Sequence, residues 1–548
     1  MDRILENIKN IAPLMALIAA YSIFAFYNLG NMDSPQTAWT SENAVIVDFG
    51  EVRHISRFQF MVGARHDVPF MLFASLDGEY WHFSRQINGA SVFAWQEENI
   101  DTQAKYAQIV PFGPGVRLQE AAFRDHNDWI ISPVHILTPE GYALFDEQDL
   151  VPRVGSFMNS TYFDEIYHAR TGYEFLHGLR VFETTHPPMG KNLIALGIRA
   201  FGMTPFGWRL PGTLAGILMI PLMYIFGWLM FNKEHKWGLF CAFIFAFDFM
   251  TFAQTRIATI DSFTVLFILA SYLCMYAYVR DREIDRTPLP QALLYLAGSG
   301  IFIGLAVATK WQGLYAMMGL PFLFFPTLWS VYKRNSKEAI ITFAYCFAFF
   351  IATPAAIYLL SYIPFVRIMD TGDGFLATVI ANQQHMFSYH SELMDGHPFS
   401  SRWWEWPLIT RPIFYYANTI SPEVRQGISS FGNPAVWWFG IFATFSAFHA
   451  LRDKDKTVIF LLISYVAQFL PWVFVYRATF IYHYFPSVPF VVLLIVYFFK
   501  TKYPKYMLAY GVLVLGLFFL FYPVLSAAPV SFSFVENFLR WLPAWVLV

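Results

Sequence analysis

Apolar runs of about twenty residues recur along the chain, separated by short charged segments. The first run covers residues 11–29, and ten more lie near residues 210–230, 237–252, 262–279, 293–309, 314–332, 341–363, 435–451, 458–475, 480–499 and 507–524. A bilayer core about 30 Å thick requires roughly 20 apolar residues per helix. The pattern therefore predicts a mainly α-helical integral membrane protein with about 11 transmembrane helices.

A different pattern fills the long segment after the first run. Stretches such as AVIVDFG, SRFQFMVG and KYAQIVPF alternate apolar and polar residues, which is typical of half-buried strands. Together with ASLDGEYWH, VFAWQ and VRLQEAAF, they resemble in order the discoidin-like or galactose-binding-like jelly roll. We expect a β-sandwich over residues 31–140, either a spacer or docking domain without a ligand or a sugar-binding module.

These patterns predict four parts of the chain. Residues 1–30 form a retained signal-anchor helix, because Arg3 and Lys9 precede an apolar run with no convincing cleavage site after it. The β-sandwich follows at residues 31–140, a membrane domain covers residues 141–526, and an extracytoplasmic tail covers residues 527–548.

Composition supports a membrane protein and excludes several other classes. The chain is 56% hydrophobic and only 14% charged, whereas about a quarter of the residues in a soluble domain are charged. Its net charge of −2 provides no basic field for nucleic acid. The three cysteines lie in apolar runs and offer neither a disulfide framework nor a zinc spacing. Any recognition of phosphate must therefore be local.

Lysine and arginine cluster in alternate loops, and such clusters mark the cytoplasmic side of a membrane protein. The clusters are Lys233 with Lys236; Arg280, Arg282 and Arg286; Lys333, Arg334 and Lys337; Arg452, Lys454 and Lys456; and Lys500, Lys502 and Lys505. Residues 30–209 and 364–434 are then extracytoplasmic. We expect a multi-pass protein of the cell membrane whose active site uses the outer loops 141–209 and 364–434.

Two motifs of the first outer loop contain candidate chemistry. TYFDEIYHARTGYEFLHG carries the acidic pair Asp164 and Glu165, and THPPMGKNLIALGIRAFGM carries His186 and Lys191. Residues 187–202 are too few for a comfortable span and include charged residues, so we expect an amphipathic helix along the interface. The acidic pair is either a merely solvated pair or part of an active site at the membrane surface.

With these motifs, RLPGTLAG, RIATIDSF, ATKWQG, HPFSSRWWEWPL and YHYFPSVPF follow in order. The chain thereby resembles the protein O-mannosyltransferase family and its bacterial relatives in the glycosyltransferase C superfamily, from Thr161 to about Phe499. The resemblance implies an inverting transferase that moves a hexose, usually mannose, from a polyprenyl phosphate to an extracytoplasmic protein or glycan. Residues 364–434 are too few for the β-trefoil domain of eukaryotic members. The acceptor of this chain therefore cannot be inferred from those members.

The resemblance assigns the catalytic base to Asp164, with Glu165 beside it to position substrate. A single carboxylate base suffices, because the leaving group is already a phosphate and only the attacking hydroxyl needs activation. His186 and Lys191, in the family's HPP motif, are expected to position substrate.

Three cations at the outer ends of apolar runs are candidate ligands of the donor phosphate: Arg256, Lys310 and Arg477. A lone cation at membrane depth needs an anion or a function. Tyr482 and His483 are candidate hydrogen-bond partners of that phosphate. The alternatives are snorkelling to the headgroups or pairing with an acid, for example Arg256 with Asp261. Asp261 is therefore also a candidate for positioning substrate, because such a pair would fix the orientation of Arg256.

The second outer loop contains HMFSYHSELMDGHPFSSRWWEWPL. His397, Trp403 and Trp404 are candidates for positioning substrate, although tryptophans at an interface are often only anchors. The same two interpretations apply to Trp406. A divalent metal on His385, His390, His397, Glu392 and Asp395 is conceivable, but their spacing matches no strong ligand pattern. No cofactor is required by the sequence.

The expected partners are a polyprenyl-phosphate-linked sugar, an acceptor protein or glycan and membrane lipid, without nucleic acid. Two other classes remain as alternatives. A secondary transporter also has many spans, but transporters tend to show paired repeats and midspan charges, and neither is evident here. The other alternative is a non-catalytic sugar-binding membrane receptor built around the β-sandwich.

Overall fold

The computed structural model describes residues 2–40, 42–65, 68–113, 116–392 and 396–548. The chain divides into two compact units, one of residues 1–27, 183–193 and 211–548 and the other of residues 28–182 and 194–210. We call them the helical unit and the sheet unit.

The helices are numbered in chain order. They are α1 (Asp2–Phe26), α2 (Glu165–His177), α3 (Met189–Phe201), α4 (Pro205–Met230), α5 (His235–Ala246), α6 (Phe249–Thr255), α7 (Asp261–Arg280), α8 (Leu289–Thr309), α9 (Gln312–Arg334), α10 (Ser336–Phe347), α11 (Thr353–Ser361), α12 (Ile363–Met369), α13 (Phe375–Glu392), α14 (Pro434–Ala450), α15 (Lys456–Phe469), α16 (Val488–Lys502), α17 (Met507–Ser526) and α18 (Phe532–Phe534).

The strands are β1 (Val45–Val62), β2 (Val68–Ser75), β3 (His82–Gly89), β4 (Trp95–Pro111), β5 (Leu118–Arg124), β6 (Ile130–Ile131), β7 (His135–Ile136), β8 (Ile413–Thr419), β9 (Val424–Ser430) and β10 (Val530–Ser531).

Hydrophobic length determines the spans of the helical unit. Among the described residues, nine helices are long and apolar enough to cross a membrane, and the bent pair α5 and α6 makes a tenth. These ten correspond to the ten apolar runs expected after the first. Helix α1 is 25 residues long, but only its part Ile11–Phe26 is apolar. The prediction of a mainly helical, multi-pass membrane protein is confirmed.

The sheet unit contains an antiparallel sheet with strand order β3-β2-β4-β1-β5-β6, and β7 pairs with β1. Its core is aromatic, and rings from three strands meet there: Phe58 lies 5.0 Å from Phe123, and Phe60 lies 5.2 Å from Phe70. The β-sandwich expected after the first helix is confirmed as a separate domain built on an antiparallel sheet. All seven strands are linked in one hydrogen-bonded sheet.

A second, three-stranded sheet lies in the helical unit, and the sequence analysis did not predict it. Strands β8 and β9 lie within residues 364–434, and β10 comes from the segment after α17. A side-chain hydrogen bond also links the C-terminal segment to residues 364–434. Trp545 Nε1 donates to the carbonyl of Ile409 at 2.7 Å. Residues 413–430 and the C-terminal segment therefore lie at one end of this unit.

Candidate functional site

The acidic pair of the first motif lies at the start of α2 in the sheet unit. Glu165 is fully buried and forms a bidentate pair with Arg209, with Nε to Oε1 at 2.7 Å and Nη2 to Oε2 at 2.8 Å. Arg209 Nη1 also donates to the carbonyls of Leu29 at 2.8 Å and Phe157 at 2.6 Å. The structure thus uses Glu165 to neutralise a buried guanidinium that joins separate chain segments.

Asp164 has different surroundings from its neighbour. It occupies the N-cap position of α2, is half-buried, and makes no side-chain hydrogen bond to cap the helix within the described structure. The preceding Phe163 has a φ of 48°, a left-handed conformation that is uncommon for a bulky residue and is often found at functional sites.

The helical unit contains a cavity of about 470 Å³, a size typical of ligand sites. Its lining combines cations, imidazoles and aromatic residues from four chain segments. The polar members include His186, Lys310, Gln312, His390 and Arg477, and Trp472 contributes to the wall. The structure therefore brings together three residues that the sequence proposed separately, namely His186, Lys310 and Arg477.

A buried ion pair fixes the turn of the HPP motif, whose His186 lines this cavity. Lys191, 1% exposed, pairs with the Glu183 carboxylate and donates to the carbonyl of His186 at 2.8 Å. His186 Nδ1 lies 3.1 Å from Glu183 Oε1. Lys191 thus holds the turn that presents His186. Gly190 is required here, because a Cβ at this position would approach Ile260 Cγ2 to 2.6 Å.

Lys310 and Asp261 form the ion pair of the cavity wall, with Nζ to Oδ1 at 2.8 Å. The pairing of Arg256 with Asp261, one alternative from the sequence, is corrected: α7 places the Asp261 carboxylate beside Lys310 at the end of α8 instead. Lys310 Nζ also lies 5.3 Å from the ring centroid of Tyr482. One wall cation is thus held in place by a neighbouring acid.

Arg477 differs from Lys310 in having no internal counter-ion. It is half-buried, and among the described residues it has no hydrogen-bond or ion-pair partner. It also lines a second, shallower pocket that contains Arg402 and Arg411. A guanidinium in such a position can bind an external anion.

Arg256 does not belong to the described lining of this cavity. Its Nε donates to the carbonyl of Ala25 at 3.1 Å and its Nη2 to that of Tyr27 at 2.6 Å. It therefore stabilises the chain at the end of α1. Its role as a phosphate ligand stays a prediction.

His483 is 2% exposed and is not among the residues that line the cavity, but its ring lies 4.5 Å from that of Trp472, which lines it. The carbonyl of His483 accepts a hydrogen bond from Gln312 Nε2 at 2.8 Å. His483 therefore acts on the cavity through Gln312.

The three tryptophans of residues 364–434 line neither pocket among the residues described. Trp406 is fully buried, which favours a structural role. Trp403 packs on Phe469 at 5.1 Å, and Trp404, 47% exposed, lies under the guanidinium of Arg402. His397 is exposed, and its Nδ1 accepts from the amide of Phe399. Their substrate-positioning roles stay predictions.

The histidines considered for a metal make other contacts. His385 Nε2 lies 2.9 Å from the hydroxyl of Thr184, and His390 Nε2 lies 2.9 Å from the carbonyl of Thr185. Asp395 lies outside the described residues. The acidic group that could hold an ion in the described part of the chain is instead Glu120, Asp146 and Glu147, in the sheet unit.

Sequence reasoning did not propose Glu183, His390, Gln312 or Trp472 for the substrate site. Gln312 belongs to the ATKWQG motif and directly follows Lys310 and Trp311. This position was the signal in the sequence that could have identified it. Trp472 lies within an apolar run, where nothing in the sequence separates it from the surrounding core.

Comparison with known proteins places these features in context. Residues 199–366 match the model of dolichyl-phosphate-mannose-protein mannosyltransferase, and residues 375–545 match the C-terminal four-transmembrane region of protein-O-mannosyltransferase. The chain is 26% identical over 458 residues to the polyprenol-phosphate-mannose–protein mannosyltransferase of Mycolicibacterium smegmatis strain MKD8, which covers 70% of this chain and 87% of the relative.

A relative of the same name in Corynebacterium glutamicum is 26% identical over 483 residues, covering 74% of this chain and 89% of the relative. In fold, the chain is similar to the Saccharomyces cerevisiae protein O-mannosyltransferase Pmt1–Pmt2 complex bound to the sugar donor. The TM-score is 0.62 at 15% identity, over 70% of this chain and 89% of the matched chain.

Proposed function

We propose that this chain, which belongs to the protein O-mannosyltransferase family, transfers mannose from a polyprenyl-phosphate donor to an acceptor protein. The observation that supports this most strongly is the cavity in which Lys310, Arg477 and the HPP histidine His186 meet. The bacterial relatives it matches over most of their length are named for the same donor and for protein acceptors.

The donor phosphate binds to Arg477 and Lys310 in this proposal. Arg477 supplies a guanidinium without an internal counter-ion in the described structure, and Lys310 supplies an ammonium fixed by Asp261. Lys310 is buried, and charge–charge attraction is stronger there than in bulk water. These cations would stabilise the transition state more than the bound donor. The oxygen between C1 and phosphorus gains negative charge as its bond to C1 breaks.

The reaction is a direct displacement at the anomeric carbon. The acceptor hydroxyl oxygen forms a bond to C1 of the sugar while the bond between C1 and the phosphate oxygen breaks, which releases polyprenyl phosphate and inverts C1. The hydroxyl proton passes to Asp164, the base proposed by family resemblance. Glu165 supports this base indirectly, because it fixes the start of α2 through Arg209.

We further propose that the reaction takes place on the extracytoplasmic face of the cell membrane. The alternating clusters of lysine and arginine support this orientation. The same proposal places domain boundaries after residues 30, 140 and 526. The antiparallel sheet then forms a separate extracytoplasmic domain.

The test is transfer by the purified full-length protein, supplied with polyprenyl-phosphate mannose and an acceptor protein from its host. Asp164→Asn is expected to reduce turnover by roughly 10²- to 10⁴-fold, the usual contribution of a general base, while leaving thermal unfolding unchanged. Turnover at the parental rate would exclude Asp164 as the base.

Glu165→Gln is the matched variant. It leaves the buried charge of Arg209 without its counter-ion, and breaking such a pair costs about 3–5 kcal/mol. It should therefore lower the unfolding temperature, which separates a structural acid from a catalytic one. Equal effects of both variants on stability would contradict the different roles given to the two neighbours.

A further inference from the structure

The cavity lining contains two chemically distinct sets of polar groups. The first set consists of the cations Lys310 and Arg477, already proposed to bind phosphate. The second set consists of uncharged groups on His390, Gln312 and Trp472, each of which has one buried polar atom without a hydrogen-bond partner in the described structure. Burying a polar atom unpaired costs about 1–3 kcal/mol, so a ligand that pairs with it gains affinity.

The hydrogen-bond partner of His390 determines which of its nitrogens carries the proton. His390 Nε2 lies 2.9 Å from the carbonyl oxygen of Thr185, and a carbonyl oxygen can only accept. Nε2 therefore carries the hydrogen. Burial, together with the neighbouring His186 and Arg477, lowers the pKa of His390 to about 3, so the ring is neutral at physiological pH and Nδ1 presents a lone pair. His390 Nδ1 is a buried acceptor with no partner among the described residues.

The orientation of the Gln312 amide is determined in the same way. Its Nε2 donates to the carbonyl of His483 at 2.8 Å, so its Oε1 is the atom left buried without a partner. The side chain is 4% exposed, which leaves few alternative rotamers. Trp472 adds one unpartnered donor, its Nε1. The neutral set thus contains two acceptors and one donor.

These two acceptors and one donor determine which chemical groups of a ligand can pair with them. The donor's phosphodiester offers no proton at neutral pH, so it cannot donate to His390 Nδ1 or Gln312 Oε1, and a lone pair facing an anion is repulsive. A polyprenyl chain offers no polar group at all. Hydroxyl groups both donate and accept, and they match all three atoms.

We propose that His390 and Gln312 bind hydroxyl groups of the donor's hexose, with Nδ1 and Oε1 accepting hydrogen bonds and Trp472 Nε1 donating one. The proposal rests on the proposed function, because it takes the donor's phosphate to bind Lys310 and Arg477 in the same cavity. It makes His390 and Gln312 specificity-determining residues, which distinguish the sugar-loaded carrier from the bare polyprenyl phosphate left after transfer.

The test compares two ligands on the full-length protein in phosphatidylcholine nanodiscs: polyprenyl-phosphate mannose and polyprenyl phosphate. The measured quantity is the ratio of their dissociation constants. Gln312→Met, which keeps the length of the side chain but removes both polar atoms, should lower the preference for the mannosylated ligand by about 3- to 10-fold, the equivalent of one hydrogen bond. Its affinity for polyprenyl phosphate should stay within about 2-fold of the parent.

Two substitutions at His390 separate sugar binding from a structural role. The amide oxygen of His390→Asn lies near the position of Nδ1, whereas the amide nitrogen of His390→Gln lies near Nε2 and can keep the bond to Thr185. If His390 binds sugar, the Asn variant retains more of the preference for the mannosylated ligand than the Gln variant. If the bond to Thr185 is what matters, the order is reversed and the proposal is overturned.

Arg477→Gln is the control that separates this inference from the proposed function. It should weaken both ligands, because both carry a phosphate. If Arg477→Gln weakens both ligands but the His390 and Gln312 variants leave their ratio at the parental value, the sugar contacts are wrong and the phosphate site stands. If Arg477→Gln changes neither affinity, the proposed donor site itself is wrong.

Donors with single deoxy positions on the mannose then identify the hydroxyl concerned. Removing the hydroxyl that binds His390 should cost affinity in the parent and cost nothing further in His390→Gln, a non-additive result expected only for groups in contact. Additive losses at every deoxy position would contradict direct contact.

Discussion

At the scale of single residues, Arg256 and Arg477 show how similar sequence positions acquire different roles. Both are lone cations at the ends of apolar runs. Arg256 is satisfied by two backbone carbonyls near the end of α1, whereas Arg477 lines two pockets and has no partner among the described residues. The first geometry stabilises a fold, and the second is suited to bind an anion.

We therefore predict opposite outcomes for the two glutamine variants. Arg477→Gln should weaken donor binding by roughly 10- to 100-fold, the value of a charge-assisted contact, with little change in unfolding temperature. Arg256→Gln should lower the unfolding temperature and leave the donor affinity near the parental value. Donor titration and thermal unfolding of both variants decide this. A loss of donor affinity in Arg256→Gln without loss of stability would restore Arg256 as a phosphate ligand.

Glu120 in β5 gives a prediction of pH dependence. Burial raises its carboxyl pKa to about 8, although Gln148 and the amide of Glu147 donate hydrogen bonds to it. The folded-state pKa lies above the unfolded value of 4.5, so the stability that the protonated acid contributes is complete below pH 4.5 and is lost as pH rises through about 8.

The sheet unit should accordingly unfold more easily at pH 9 than at pH 6. Glu120→Gln should remove part of this dependence and stabilise the unit at pH 9 by on the order of 2 kcal/mol. Hydrogen exchange of the β5 amides in the full-length protein measures the effect at both values. An unchanged pH dependence in the variant would show that Glu120 is not the titrating group.

At the scale of elements, two helix starts in the helical unit share one polar contact. Helices α5 and α6 form a pair bent by 60°, and Asp248 in the break caps α6 by accepting from the amide of Thr251 at 3.3 Å. Its other oxygen accepts from the amide of Asn433 at 3.0 Å. Asn433 in turn caps α14 by accepting from the amide of Ala435 at 3.0 Å. Both side chains are fully buried.

Removing Asp248 should therefore destabilise more than one helix. Asp248→Ala leaves two buried amides unpaired and should cost about 2–4 kcal/mol, whereas Asp248→Asn keeps one acceptor oxygen and should cost less. Thermal unfolding of both variants in detergent tests this. Equal stability of the alanine variant and the parent would mean that water replaces the cap.

At the scale of the whole molecule, one strand pairing constrains the orientation of the protein in the membrane. The C-terminal segment pairs through β10 with β9 of the second outer loop, so both must face the same side. The alternating basic clusters predict that this side is extracytoplasmic and that the loop containing Lys337 is cytoplasmic.

Cysteine labelling tests this orientation in intact cells. In a variant that lacks the three native cysteines, Glu392→Cys and Ser533→Cys should react with an impermeant maleimide, and Lys337→Cys should react only after permeabilisation. All three positions are exposed. Labelling of Lys337→Cys alone would invert the orientation and place the outer loops in the cytoplasm.

The spans were predictable because hydrophobic length is a local property of the chain. A run of apolar residues long enough to cross a bilayer forms a helix whatever it packs against, since every backbone group must be satisfied within the segment. The alternating strands of the first outer segment were predictable for a similar reason. The short strand β10 was not, because its partner β9 lies about a hundred residues away in sequence.

The motifs identified Asp164, His186, Lys310 and Arg477 as candidates, but their partners required the tertiary structure. Asp261 pairs with Lys310, 49 residues away, rather than with the nearer Arg256. Likewise, only the carbonyl of Thr185 shows which nitrogen of His390 is left to bind a ligand. Hydropathy depends on neighbours in sequence, whereas charge pairing and hydrogen bonding depend on which distant segments pack together. The sequence thus determined the spans and the candidate chemistry, and only the tertiary structure decided which groups can meet a substrate.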